Sequence, residues 1–196
     1  AADYGDAAIA GMGVVTRLVS MGSLTIFGFI KGFQPIAGYS YGAKKFNRLH
    51  EAIKTSVIWS TVFCVVYGLI LALFSTSIVS QFASGNLEMI KVGASSLRVN
   101  GISLMLFGFY TVYSSLFLAL GKGKEGFILG ACRQGICFVP VILVLPMIWG
   151  LNGILYAQPV ADVLSAIITV FMAIHLHREL NEAEKQAAIA GTNEVH

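Results

Sequence analysis

Four polar side chains, Gln158, Asp162, Ser165 and Thr169, recur at spacings of 4, 3 and 4 residues in an otherwise apolar run, residues 151–174. Positions three or four apart share one face of a helix, so the run carries a single polar stripe with a carboxylate at its centre. An ionisable group at bilayer depth costs about 2.5–3.5 kcal/mol on insertion scales, and it normally faces a cavity or a partner. Pro159 lies beside the stripe; its missing N–H releases the carbonyl of Leu155, which at depth requires water, a side chain or a cation. An amide, a carboxylate and a freed carbonyl thus converge within about a turn and a half. Two chemistries fit: a titrating or cation-binding site centred on Asp162 with Gln158 orienting it, or a buried ion pair that holds helices together.

A second stripe, Asn100, Ser103, Phe107, Tyr110, Ser114 and Phe117, is spaced 3, 4, 3, 4 and 3. Alternating aromatic and hydroxyl groups suit a cavity for bulky amphipathic or cationic ligands, because aromatic faces attract organic cations. They equally suit helix packing with hydroxyls bonded across a bundle. Asn100, Tyr110 and Ser114 are the candidate contacts here, and Gln34, next to Pro35, adds another. Two bases lie inside apolar runs, Arg17 and Arg133. Arg133 is close enough to an interface to snorkel or to pair within the bundle; Arg17 is deeper and calls for an internal partner, with Asp162 one possibility. His175 and His177, two apart, do not share a helix face. No Cys/His cluster has metal spacing, and no nucleophile triad, P-loop or dinucleotide fingerprint is visible, so neither an enzyme nor a metal site is expected.

The elements that must hold these stripes are membrane helices. The chain is 56% hydrophobic and 12% charged, against about 25% charged in soluble domains. Apolar runs near 20 residues read as spans, and there are five: about 7–30, 55–79, 99–121, 126–149 and 151–174. The three cysteines, Cys64, Cys132 and Cys137, all fall inside them and read as small hydrophobes. Nine lysines and arginines fall in 31–54, 122–125 and the tail, and two, Lys91 and Arg98, on the other side. Basic loops are cytoplasmic, which places the amino end outside and the carboxyl end inside. Residues 181–196 form a polar cytoplasmic tail, expected to leave the membrane as a frayed helix and become disordered. The net charge of +3 follows this topology and implies no nucleic-acid partner. An exposed amino end without a signal calls for at least one span upstream of Ala1.

Pro35 and Gly38 are expected to end or kink the first helix. From Ala43 the loop can form a short interfacial helix with Phe46, Leu49 and Ile53 on one side. Gly28/Gly32 and Gly126/Gly130 form GxxxG pairs that allow close helix approach.

The ordered segments GFQPIAGYSYGAKKFNRL, ALGKGKEG, CRQGICFVPVILVLP and GLNGILYAQPVAD resemble the C-terminal half of MATE (multidrug and toxic compound extrusion) transporters, in particular their bacterial multidrug branch. The likeness runs from Tyr4 to Leu180. It implies an all-α fold in which the five spans form most of one six-helix lobe of a twelve-helix, two-lobe transporter. It also implies a bacterial inner-membrane antiporter without an organic cofactor, exporting small organic, often cationic, compounds against H⁺ or Na⁺. Its partners would be the bilayer, those substrates and an N-terminal lobe. Alone, residues 1–196 would show no substrate-driven flux unless they dimerise. The cation-site carboxylate that some members carry on the helix matching 99–121 is absent here, which leaves Asp162 as the acidic residue inside the spans. Two other functions compete: a lipid-linked oligosaccharide flippase of the same fold, which should line its cavity with bases, and a non-transporting membrane scaffold, which would not need Asp162.

Overall fold

A computed structural model describes residues 6–82, 87–132, 135, 137–149 and 151–193. Among them the chain forms seven helices and no strand: α1 (Asp6–Gly42), α2 (Phe46–Leu73), α3 (Ser75–Phe82), α4 (Leu87–Ala119), α5 (Gly123–Ala131), α6 (Phe138–Trp149) and α7 (Leu151–Asn193). Four of them, α1, α2, α4 and α7, are long and apolar enough to cross a membrane. Lipid leaves no water to satisfy backbone groups, so a helix, which satisfies its own, is the structure such sequences must adopt.

The fourth expected span, 126–149, contains α5 up to Ala131 and α6 from Phe138, with π-helical backbone at Cys132 and Gly135 among the described residues between them. Pro140 supplies no N–H and its ring crowds the carbonyl four residues earlier, so α6 starts at Phe138, two residues before it. Ahead of that start the Cys137 N–H reaches back five residues to the Cys132 carbonyl at 2.8 Å, a π-type bond. The first helix does not end at Pro35 or Gly38 but continues through both to Gly42. Segment 46–53 is the first part of α2 and not an interfacial helix: Phe46, Leu49 and Ile53 are buried in the protein core. The tail also differs from expectation. Residues 181–193 extend α7 as helix, because the stretch NEAEKQAA consists largely of strong helix formers and Ala183 packs on the core.

The centre of the bundle is α4, which contacts α1, α2, α3, α5 and α7. Its residues 110–117 are buried without interruption, as expected of a helix enclosed by neighbours on every side. One core cluster joins Phe33, Leu49, Val112, Leu116 and Leu176; the other joins Val15, Ile26, Leu71, Leu97 and Leu104. Lipid tails are as apolar as leucine, so close van der Waals packing must hold the helices. Small residues make it possible. Gly68 on α2 and Gly101 on α4 meet backbone to backbone, and a Cβ on Gly101 would stand 2.8 Å from the Gly68 carbonyl oxygen. The Ser60 hydroxyl donates to the Gly108 carbonyl at 3.4 Å in the same seam. Of the GxxxG pairs Gly28/Gly32 and Gly126/Gly130, Gly126 lies against Leu118 of α4, whereas nothing lies within 4 Å of where a Cβ on Gly28 or Gly32 would be.

A Schellman turn closes α4. Gly121, at φ 77°, donates to the Leu118 carbonyl and Lys122 to the Phe117 carbonyl, the paired bonds of that motif, which needs a left-handed residue after the helix. The turn points Lys122 at Glu179 of α7, and the two form an ion pair.

Candidate functional site

A cavity of about 460 Å³ opens between α1, α4, α6 and α7. The wall from α1 is a stripe of Thr16, Ser20, Ser23 and Phe27, spaced 4, 3 and 4. Ser96 and Asn100 come from α4, Phe138 and Ile142 from α6, and Gln158 from α7. The hydroxyls of Thr16 and Ser23 are bonded to the carbonyls of Met12 and Val19, one turn back in α1, which lets them sit at membrane depth without an outside partner. Asn100 is held in the same way: its amide donates to the Ser96 carbonyl at 2.9 Å and to the Ser96 hydroxyl at 3.3 Å.

Asp162 lies behind this wall, only 5% exposed. Gln158, one turn earlier on α7, donates to Asp162 Oδ1 at 3.2 Å while its own side chain lines the cavity. Ser103 of α4 donates to Asp162 Oδ2. The spacing that puts Gln158 and Asp162 on one face, and the packing of α7 on α4 that brings up Ser103, give both carboxylate oxygens a donor. The carboxylate therefore sits one side chain away from the cavity, with Gln158 between them.

The other residues flagged by the sequence are distributed unevenly. Tyr110 is buried and borders, with Phe107 and Ser165, a small void beside Asp162. Ser165 Oγ is buried with no hydrogen-bond partner among the described residues, and Thr169 bonds the Ser165 carbonyl. Ser114 sits elsewhere, donating to the Gly126 carbonyl at 3.4 Å and tying α4 to α5. Gln34 is half-buried and does not line the cavity. Arg17 is exposed on α1, with no ion pair among the described residues; Arg133 lies outside those residues. Ser103 is singled out from the sequence only as a member of the α4 stripe, and the α1 hydroxyl stripe is not singled out there. The stripe has the same 4, 3, 4 spacing as that of α7 and could have been found by it; Ser103 as the partner of Asp162 could not.

The sequence of residues 1–144 matches the family model described as MatE. The chain belongs to the MatE family. Among curated MATE proteins it is 28% identical over 179 residues to the multidrug export protein MepA of Staphylococcus haemolyticus, covering 91% of this chain and 39% of that protein. To MepA of Staphylococcus aureus strain MSSA476 it is 27% identical over 190 residues, 97% of this chain and 41% of that protein. The chain therefore spans about two fifths of the length of the relatives it matches. Among solved structures it is similar to the MATE multidrug transporter DinF-BH, at 35% identity and a TM-score of 0.77, covering 84% of this chain and 36% of that one. The Vibrio cholerae MATE transporter VcmN in its bent form has the same fold, with a TM-score of 0.82 at 19% identity over 93% of this chain and 41% of that one. The all-helical chain thus corresponds to one lobe of a MATE transporter, a multi-pass membrane protein.

Proposed function

We propose that this chain forms one lobe of a secondary multidrug exporter, and that the cavity between α1, α4, α6 and α7 is this lobe's share of the substrate path. The exporter is a cation-coupled antiporter, using H⁺ or Na⁺, with Asp162 as the residue through which ion and substrate compete and with the basic loops on the cytoplasmic side of a bacterial inner membrane. The observation that carries the reading is Gln158, which lines the cavity and donates to buried Asp162 at 3.2 Å. A cavity walled by serines, an asparagine and phenylalanines, with a carboxylate in reserve, fits bulky organic cations. MepA is named a multidrug export protein and DinF-BH a multidrug transporter, which supports the same broad substrate class. A flippase for pyrophosphate-linked sugars should line its cavity with bases, and among the described residues that line this one none is lysine or arginine.

The test is to fill the cavity. Ser23→Trp, in the transporter that carries this lobe, is expected to reduce efflux of a cationic dye by about tenfold or more, since bulk placed in a formed site displaces the ligand or costs repacking of about 1–3 kcal/mol. Leu73→Trp, at an exposed position, should leave efflux unchanged. Undiminished efflux in the Ser23→Trp variant, at equal expression, would remove the cavity from the transport path.

A further inference from the structure

A second cavity, of about 480 Å³, lies where α2, α4 and α7 meet at the end of the bundle that carries the basic loops. It shares no lining residue with the first. Its polar wall is His50 and Lys54 from α2, Tyr113 from α4, and His177 and Asn181 from α7. These groups are ordered by contacts with one another. Tyr113 Oη is 3.1 Å from His177 Nε2, and the rings of His50 and His177 stack with centroids 6.1 Å apart. Glu184 reaches His50 Nδ1 at 3.9 Å but is not among the lining residues. Among the described residues no carboxylate lines the cavity, and Lys54, the imidazoles and the Asn181 amide supply its wall with donors. A metal is a poor fit, since no group of three ligating side chains occurs among the described residues.

The remaining wall is apolar and directional. Val57 and Ile58 line it one turn further along α2, and Ile58 begins an exposed strip that continues through Trp59, Val62 and Val66. Bases at one end of a groove and aliphatic surface running away from them toward the span match the two parts of a phospholipid. We propose that this groove binds one anionic phospholipid, its phosphate held by Lys54, His50, His177 and Asn181 and an acyl chain laid along Ile58, Val62 and Val66. An anionic headgroup would complement the Lys54 ammonium, with imidazole and amide N–H groups as further donors to its phosphate. The site would bolt α2 to α7 at the membrane surface, independently of which substrate crosses the central cavity.

The experiment is lipid retention. The purified chain, delipidated and exchanged into vesicles of phosphatidylcholine alone or mixed in equal parts with phosphatidylglycerol, is released for native mass spectrometry. One phosphatidylglycerol should be retained per chain in preference to phosphatidylcholine. Lys54→Gln should cut that preference about fivefold, the contribution of one base near an anionic surface, and Lys54→Arg should restore it. His50→Gln with His177→Gln should weaken it as well, with an unchanged helical circular dichroism spectrum to show that the bundle is intact. Arg48→Gln removes a base of the same end that does not line the groove and should leave the preference standing. Equal retention of both lipids by the unaltered chain, or an equal loss in Arg48→Gln and Lys54→Gln, would overturn the site in favour of diffuse surface charge. Displacement of the lipid by inorganic phosphate would overturn its assignment to a lipid and make it a site for free anions.

Discussion

Asp162→Asn is expected to abolish ion-coupled efflux while leaving the helix bundle folded. Asparagine keeps the size of the carboxylate and one acceptor oxygen. Ser103 can rotate its hydroxyl to accept from the new amide, and Gln158 can still donate to the retained oxygen, so both of these contacts survive in form. What is lost is the charge and the ability to exchange a proton or hold a cation. Asp162→Ala should behave differently. It leaves the Ser103 hydroxyl and the Gln158 amide facing a gap where the carboxylate stood, a cost of about 1–3 kcal/mol for buried groups deprived of a partner. The two variants therefore separate chemistry from structure: efflux per folded molecule, driven by an imposed proton or sodium gradient, is read beside the thermal melting of each protein. A coupling role predicts a silent but stable Asn variant and a silent, less stable Ala variant. Normal gradient-driven efflux in Asp162→Asn would leave the carboxylate with a packing role only, and unimpaired function in Asp162→Leu would support a scaffold.

Gly101→Val should strongly destabilise the packing of α2 on α4. A Cβ at Gly101 would meet the Gly68 carbonyl oxygen at 2.8 Å and the Ala72 nitrogen at 3.1 Å. Both are backbone atoms of α2, which cannot yield without moving the helix. Gly108 repeats the problem two turns on, where a Cβ would stand 2.6 Å from the Ser60 carbonyl oxygen. Forcing extra bulk into a filled seam costs about 1–3 kcal/mol where side chains can repack, and here the neighbours are main chain. Melting of the detergent-solubilised chain, followed by tryptophan fluorescence, should shift down clearly for Gly101→Val. Gly28→Ala, with no atom within 4 Å of its Cβ position, should fall within about 0.5 kcal/mol of the parent, as surface changes do. An unaltered melt for Gly101→Val would mean that α2 and α4 do not pack as described.

These two predictions also separate what is legible along the chain from what is not. Helical class, membrane location and the polar stripe of α7 follow from the sequence, because apolar length and a spacing of 3 or 4 are local properties of a helix. The pairing of Gln158 with Asp162 is local in the same sense, one turn apart on a single element. The family resemblance carried by the QPIAGYSYGAKK and ALGKGK segments also stands, through the match of residues 1–144 to the MatE family model.

The tertiary structure alone decided which faces meet. Ser103 becomes the second donor to Asp162 because α4 and α7 pack at that register, across 59 residues of chain. Ser114, on the same stripe as Ser103 and Tyr110, is carried round α4 to face α5 instead. Three glycine pairs match GxxxG, yet the tightest contact is Gly68 with Gly101, which fits no spacing motif because its partners lie on different helices. The wider turn ahead of α6, with the Cys137 N–H bonded to the Cys132 carbonyl five residues back, is likewise not readable from apolar length alone. Sequence periodicity fixes which residues share a face of one helix; which face looks into a cavity, a neighbour or lipid is set by how whole helices fit against each other, and no single segment holds that information.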